Sequence, residues 1–222
     1  MKKLVVCVLL VGCGGDGGGG TIEIDNFGTE LAIAACGKQW ECCTDAELME
    51  EYMGITIEGQ PITTEDQCVQ FAGGLFTALA IPQYKSSLEM GRIEYDGAAA
   101  GDCVAAIENL TCAEYGADTS ETVPAGCRPF LIPKVPDGGA CSENYECTSH
   151  YCVETCMPIP TEGAACDEDC ASGLYCGFDQ STGMKVCQPI KANGEPCTFD
   201  DECTSDYCEG TCMTEPVTCD GR

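Results

Sequence analysis

The stretch CSENYECTSHYCVETC, residues 141–156, recurs as CTFDDECTSDYCEGTC at residues 197–212, with all four cysteines at the same spacing. A length variant lies between these copies: it begins Cys166-DED-Cys170-ASGLY-Cys176 and reaches its fourth cysteine, Cys187, after ten further residues. The first cysteines of the three copies are 25 and 31 residues apart, so the chain contains an internal repeat. Units this short cannot bury an adequate apolar core, and disulfides replace it.

Several positions other than cysteine are shared by all three modules. An acid precedes the second cysteine, a serine follows two residues later, a tyrosine precedes the third cysteine, and a glycine lies three residues before the first: Glu146, Asp169, Glu202; Ser149, Ser172, Ser205; Tyr151, Tyr175, Tyr207; Gly138, Gly163, Gly194. We expect shared residues to build the scaffold, with the serine and the acid bonding main-chain amides in turns. Residues that differ just before the tyrosine are candidate binding loops, or merely tolerant loop tips: His150, Gly173, Leu174 and Asp206.

Four cysteines in a module allow three connectivities. Sequential and nested pairings remain open, but we favour the crossed pairing of first with third and second with fourth, because it restrains both loops at once. Loop-entropy differences between these pairings are small, about 1 kcal/mol. The predicted bridges are Cys141–Cys152, Cys147–Cys156, Cys166–Cys176, Cys170–Cys187, Cys197–Cys208 and Cys203–Cys212.

The pattern G-x-x-C…[DE]-C-x-S-x-Y-C…C, over about residues 127 to 213, resembles the Dickkopf N-terminal cysteine-rich repeat and is akin to EB-type modules. Such repeats occur in predicted lipoproteins of myxobacteria and related Gram-negative lineages, often behind a cysteine-containing helical segment. The resemblance implies an architecture and not an activity. The receptor-binding role of Dickkopf is not implied, because a different domain of that family contacts the receptor.

The amino-terminal segment has the organisation of an export signal. Lys2 and Lys3 precede eight apolar residues, 4–11, which are too few to span a bilayer. The sequence Leu10-Val11-Gly12-Cys13 resembles the lipobox of bacterial lipoproteins, which implies a signal peptide at 1–12, acylation of Cys13 and, with Gly14 next, sorting to the outer membrane. A glycine-rich tether follows at 13–27. The alternative is an ordinary secretory signal cleaved within the glycines.

Cysteine parity supports the lipoprotein interpretation. With Cys7 removed in the signal and Cys13 acylated, twenty of the 22 cysteines remain. An even number in an exported chain predicts a disulfide framework. The pairing of the remaining cysteines stays open, although adjacent Cys42 and Cys43 should take different partners: Cys36, Cys42, Cys43, Cys68, Cys103, Cys112, Cys127 and Cys219.

Residues 28–127 predict a helical cysteine-containing domain. Thr44 and Thr64 begin capping boxes, Asp96 is a further N-cap, and a helix is expected before Cys42. Gly73-Gly74 interrupts an apolar stripe, and Pro82 should end that helix or begin another. The fold class is therefore small and disulfide-rich, with modules and tail at 128–222 (about 138–156, 163–187 and 194–212) containing short β-hairpins.

Composition limits the possible functions. The net charge is −27, and loss of Lys2 and Lys3 leaves 8 basic against 37 acidic residues, which disfavours nucleic acid. No nucleotide, redox or hydrolase motif occurs, so no cofactor is expected and an enzyme or inhibitor is a minor alternative. Weak calcium candidates are Asp167, Asp169, Asp200 and Asp201. The leading hypothesis is a non-catalytic binding or surface-structural scaffold on the cell envelope, membrane-bound through its lipid, with a protein or glycan partner; a calcium-binding acidic surface protein is the main alternative.

Overall fold

The computed structural model describes residues 19–57, 59–116, 124, 126–167, 169–179, 182–214 and 218–219. These residues form two compact units. The helical unit extends to Ile132 and includes Thr218 and Cys219; the module unit extends from Pro133 to Thr214. Its boundary lies after 132 and not after 127, and the described tail groups with the helices and not with the modules. The predicted class, a disulfide-rich helical domain followed by short hairpins, is confirmed.

The five described helices all lie in the helical unit, and the sequence predicts side-chain caps at the start of three of the five. They are α1 (Ile24–Cys42), α2 (Asp45–Glu51), α3 (Glu65–Glu89), α4 (Gly97–Glu108) and α5 (Cys112–Gly116). Thr44 and Glu47 form a complete capping box, in which the Thr44 amide donates to the Glu47 carboxylate at 2.6 Å. Thr64 and Gln67 form the second one. The Asp96 carboxylate accepts from two amides of α4, both at 3.0 Å. The three predicted helix starts are confirmed.

Helix α3 runs through both of its predicted interruptions. A Cβ on Gly73 would lie 3.4 Å from the Ala32 Cβ of α1, which is ordinary van der Waals contact, so Gly73 lies on the face of α3 that packs against α1. The prediction that Pro82 ends or begins a helix is wrong, since Pro82 lies inside α3. Its neighbours Ile81 and Tyr84 are buried, at 4% and 2% exposure, and their packing keeps this stretch helical despite the missing amide.

The first helix begins within the segment that the sequence predicts to be a tether. Residues 24–27 of the predicted tether belong to α1. Phe27 is 1% exposed, and its ring contacts those of Phe76, Tyr95 and Phe130, the last at a centroid distance of 4.5 Å. This aromatic cluster is the apolar core that orders the start of α1.

All sheets within the described ranges are two-stranded. In the chain up to Pro133, β1 (Thr56–Ile57) pairs with β2 (Gln60–Pro61), and β3 (Ile93–Tyr95) pairs with β4 (Leu131–Pro133). In the modules, β5 (Cys152–Val153) pairs with β6 (Thr155–Cys156), and β7 (Leu174–Asp179) pairs with β8 (Met184–Pro189). One-turn 3₁₀ helices, Asn144–Glu146 and Asp200–Glu202, occupy the same position in the first and third modules.

Candidate functional site: the disulfide modules

Each module is braced by two crossed disulfides. The structure brings together the six cysteine pairs that the sequence analysis favoured: Cys141–Cys152, Cys147–Cys156, Cys166–Cys176, Cys170–Cys187, Cys197–Cys208 and Cys203–Cys212. These bridges span only 9 to 17 residues. In small clusters around the first and third modules the buried apolar residues are almost all cysteines. The bridges thus take the place of a core, as expected for units of this length.

The shared glycine closes each module through its main chain. Gly138, Gly163 and Gly194 have positive φ values of 84°, 77° and 93°. Each donates its amide to the carbonyl of the last cysteine in its module, at distances of 2.7, 2.8 and 2.7 Å. Because a left-handed backbone favours glycine, the repeat retains this residue for its conformation. The joint and the fourth cysteine therefore form one closed frame in all three copies.

The shared acid caps a turn from inside the first and third modules. The carboxylate of Glu146, which is fully buried, accepts from the Ser142 amide at 2.7 Å. Glu202 accepts from the Thr198 amide at 3.1 Å and pairs with the Lys191 ammonium. For these two modules the predicted role of the acid is confirmed. The corresponding Asp169 instead accepts from the Asn144 side chain, at 2.6 Å, and so joins the second module to the first.

The predicted role of the shared serine is wrong in the outer modules. The hydroxyl oxygens of Ser149 and Ser205 are buried and make no hydrogen bond to any described residue. The turn that follows the second cysteine closes through main-chain bonds, from the amides of His150 and Asp206 to the carbonyls of Cys147 and Cys203, at 2.9 Å each. The serine is therefore not required as a turn acceptor.

Two of the three shared tyrosines, Tyr151 and Tyr175, lie where successive modules meet. Burial, followed by the charges of Asp167 and Asp169 in the next module, raises the pKa of Tyr151. The Tyr175 hydroxyl donates to Gln188 at 3.1 Å, and the Lys191 ammonium lies 6.0 Å from its ring centroid. Since Lys191 also pairs with Glu202, it connects the second module to the third. The modules are thus linked by side chains as well as by the chain itself.

The candidate binding loops share one backbone conformation. His150, Gly173 and Asp206 have φ values of 56°, 79° and 51°, all in the left-handed region. Glycine adopts this region freely, and aspartate and histidine are among the residues most often found there. Variation at this position therefore follows the demands of a tight turn, which favours the tolerant-tip alternative. Leu174 lies outside the turn, as the half-buried first residue of β7.

Two of the four weak calcium candidates, Asp169 and Asp200, use their carboxylates in hydrogen bonds within the module unit. The Asp200 carboxylate accepts from the Cys208 amide at 2.7 Å, and Asn144 makes the same bond to Cys152 at 2.8 Å in the first module. Asp169 is engaged by Asn144, as described above. At Asp167, the main-chain carbonyl accepts from a lysine ammonium at 2.9 Å. Burial, and then nearby carboxylates, raise the pKa of the fourth candidate, Asp201.

These carboxylates do not converge on one point. Among the described residues, the side-chain groups close enough to share a metal ion are three cysteine triplets, one in each module. Every one of those sulfurs is in a disulfide, and a disulfide sulfur lacks the thiolate that metals require. In the oxidised protein these triplets are braces.

The helical unit contains the four bridges that the sequence left open: Cys36–Cys68, Cys42–Cys112, Cys43–Cys219 and Cys103–Cys127. As predicted, Cys42 and Cys43 take different partners. Cys43 pairs with Cys219, which lies beyond the modules at a separation of 176 residues. The Cys219 amide also donates to Glu47 at 2.8 Å, and this bond, followed by those from Thr44, lowers the pKa of Glu47.

The predicted signal peptide and the lipid-attachment residue Cys13 lie outside the described residues. Within the described part of the chain, no helix combines the length and the apolar character needed to cross a bilayer. The resemblance to Dickkopf-type repeats rests on the residues of the motif alone. A scan of protein-family models, a search of curated proteins and a search of solved structures each give no match to this chain.

Proposed function

We propose that this chain is an exported lipoprotein, anchored in the cell envelope through Cys13, whose modules form a non-catalytic binding or surface-structural scaffold. The observation that carries the proposal is the frame repeated in three modules, each with crossed disulfides and a glycine-closed joint. Such bridges persist in oxidising compartments outside the cytoplasm. Small braced units that present loops and edges are well suited to contact partners without chemistry.

Support for a non-catalytic role comes from how the modules use their reactive groups. All twelve module cysteines are bonded as disulfides, so none is a free nucleophile. Glu146 and Glu202 accept main-chain amides, and Asp200 accepts the Cys208 amide. These contacts commit the acids to holding turns. An acid–base pair would require carboxylates whose pKa values are driven apart in one cleft.

The anchor is tested by metabolic labelling with palmitate. Cys13→Ser should abolish acyl labelling and move the protein from the detergent phase to the aqueous phase, because two or more acyl chains are needed for stable anchoring. Cys7→Ser is the matched control: it removes the other amino-terminal cysteine and should leave labelling unchanged. Continued labelling and membrane retention of Cys13→Ser would exclude this lipid anchor.

The scaffold role is tested with the lipid-free oxidised chain as bait against envelope and extracellular fractions. The control bait is the same chain reduced and alkylated, in which the braced frames are lost. Partners retained only by the oxidised bait support a role of the folded modules. Equal retention by both baits would show that the contacts do not depend on module structure.

A further inference from the structure

In the β7–β8 hairpin, hydrogen-bonded and non-hydrogen-bonded residue pairs alternate. This alternation shows which main-chain N–H and C=O groups of β7 point away from β8, toward its outer edge. On β8, the Cys187 amide donates to the Ala164 carbonyl at 2.9 Å, and the Cys187 carbonyl accepts from the Gly163 amide at 2.8 Å. Cys187 therefore turns away from β7, and its partner Cys176 is in a non-hydrogen-bonded pair. The main-chain N–H and C=O of Cys176 must point outward from the hairpin.

The same argument applies two residues along the strand. Phe178 is opposite Lys185, whose carbonyl accepts from the Cys166 amide at 3.3 Å on the far side of β8. The N–H and C=O of Phe178 therefore also point outward. Gly177, between them, faces β8 through its partner Val186.

The two edges of this hairpin differ. The segment 164–166 covers the outer side of β8, with Ala165 bridged to Val186. Within the described part of the chain, β8 is the one strand that pairs with β7, and the opposite edge of β7 has no neighbouring strand. No described residue makes a hydrogen bond to the main-chain groups of Cys176 or Phe178 at that edge. The Phe178 side chain is 67% exposed. An edge with unpaired main-chain groups is a template for a further strand.

The two faces of β7 beside this edge carry different side chains. Side chains alternate between faces, so Phe178 lies on one face and Tyr175 with Gly177 on the other. The Tyr175 ring lies directly over Gly177, where any Cβ would collide with it. The glycine therefore keeps this face smooth, while Phe178 offers an apolar contact on the opposite face.

The charges around the edge favour a cationic occupant. The 3₁₀ helix Asp200–Glu202 packs against β7 and contributes three carboxylates. Burial, and then Glu202, Asp206 and Asp200, raise the pKa of Asp201, as expected for crowded negative charge. Of the two lysines nearby, Lys191 pairs with Glu202, and Lys185 donates to the uncharged Asp167 carbonyl and keeps its charge. Asp200 and Asp201 make no ion pair with a described lysine, so the carboxylates still outnumber the free ammonium group.

We propose that the outer edge of β7 binds an extended peptide segment that carries lysine or arginine side chains, which adds a third strand beside Cys176–Phe178. A second copy of this chain fits less well, because two edges flanked by carboxylates would meet in molecules of net charge −27. The proposal rests on the binding role proposed above and gives that role a class of partner. It does not depend on the lipid.

The test uses the full oxidised lipid-free chain and a capped peptide of alternating lysine and valine, with the glutamate–valine peptide as the charge control. On binding, amide exchange should slow at Cys176 and Phe178 and stay unchanged at Gly177, which already bonds β8. Phe178→Pro removes an outward N–H that the ladder does not use, and should weaken binding about tenfold. Phe178→Ala keeps that N–H and should weaken binding less.

The controls address the other contributions. Met157→Ala shortens an exposed side chain in another module and should bind as the wild type does. Asp200→Asn keeps the acceptor for the Cys208 amide, as Asn144 does in the first module, and should weaken binding several-fold at low salt only. Wild-type affinity in Phe178→Pro, or equal binding of the glutamate peptide, would overturn the proposal.

Two further outcomes would also decide against it. Slowed exchange at Cys176 and Phe178 with rising protein concentration, without peptide, would assign the edge to a second copy. No slowing with the lysine peptide would refute the edge as a peptide site. Neither result would change the acyl labelling at Cys13 or the pull-down with oxidised bait. Failure of the β7 edge as a peptide site can therefore be distinguished from failure of the proposed function.

Discussion

Glu154 and Gly210 occupy equivalent positions in the tight turns between the third and fourth cysteines of the first and third modules, and both are left-handed, with φ values of 61° and 79°. A non-glycine residue pays a conformational cost there that glycine does not. We therefore expect Glu154→Gly to stabilise the first module and Gly210→Ala to destabilise the third. The first substitution removes a Cβ from a left-handed position, and the second adds one at the equivalent position of another module.

The magnitude follows from two opposing effects. The left-handed conformation costs a residue with a Cβ roughly 1–2 kcal/mol. Glycine in place of glutamate increases the freedom of the unfolded chain, at a cost of roughly 0.5–1 kcal/mol. The difference leaves about 0.5–1 kcal/mol in favour of glycine at either position. A change of this size alters a local opening equilibrium about two- to fivefold.

Hydrogen exchange of single amides measures these openings. The Cys141 amide donates to the Glu154 carbonyl at 3.1 Å, and the Cys197 amide donates to the Gly210 carbonyl at 3.3 Å. Exchange at Cys141 should slow about two- to fivefold in Glu154→Gly, and exchange at Cys197 should accelerate by a similar factor in Gly210→Ala. Both amides are far in sequence from the substituted residue, so their intrinsic exchange rates are unchanged.

Glu143→Gly is the matched control, because Glu143 has an ordinary extended backbone with a φ of −139°. The same chemical change there relieves no strain and only loosens the chain, so exchange at Cys141 should accelerate. Faster or unchanged exchange at Cys141 in Glu154→Gly would refute the reasoning. Slowed exchange in both glutamate variants would show that charge removal, and not backbone conformation, is responsible.

Three further predictions concern bridges, caps and ionisation. Non-reducing peptide mapping should recover a peptide that joins Cys43 to Cys219, together with crossed pairs in every module; a Cys152–Cys156 or Cys208–Cys212 bridge would exclude the crossed frame. Asp200→Asn should leave the exchange of the Cys208 amide nearly unchanged, whereas Asp200→Ala should accelerate it by the equivalent of about 0.5–1.5 kcal/mol, and equal effects of both variants would argue against the cap. Burial, then a neighbouring carboxylate, raises the pKa of Tyr52 and of Tyr95 from 10.0 to about 12. Because the fold favours the neutral phenol, this contribution to the free energy of unfolding is complete below pH 10 and is lost as pH rises from about 10 to 12. Tyrosinate absorbance that titrates fully near pH 10 in the folded chain would contradict this.

The sequence predicts features that depend on near neighbours. Thr44, Thr64 and Asp96 start helices because their side-chain oxygens reach amides only two or three residues away. The disulfide pairing within the modules could be predicted from the sequence, because the repeated pattern confines each set of four cysteines to one module with three possible connectivities. Each bridge also spans only 9 to 17 residues. Local chemistry determines both kinds of feature.

Features set by distant contacts were not accessible in this way. Gly73 and Pro82 disfavour a continuous helix locally, but packing of α3 against α1 and of Tyr84 in the core outweighs them. Pairing of Cys43 with Cys219 brings together residues 176 apart. The open edge of β7 follows from hydrogen-bond phase, which the residue pattern of 174–179 does not reveal. One feature of the sequence indicates the left-handed turn at His150 and Asp206: the equivalent residue of the second module is a glycine, Gly173.

The Cys43–Cys219 bridge sets an order of events during synthesis. When Cys43 leaves the ribosome, its partner is still 176 residues away, whereas the partner of the adjacent Cys42 is only 70 residues away. All three modules are made within that interval. The Cys43–Cys219 bridge of the helical unit can therefore form only after all three modules have been synthesised. A chain that ends early, within the modules, retains an unpaired thiol at Cys43. That thiol chemically distinguishes a truncated chain from the full one, in which Cys43 is bonded to Cys219.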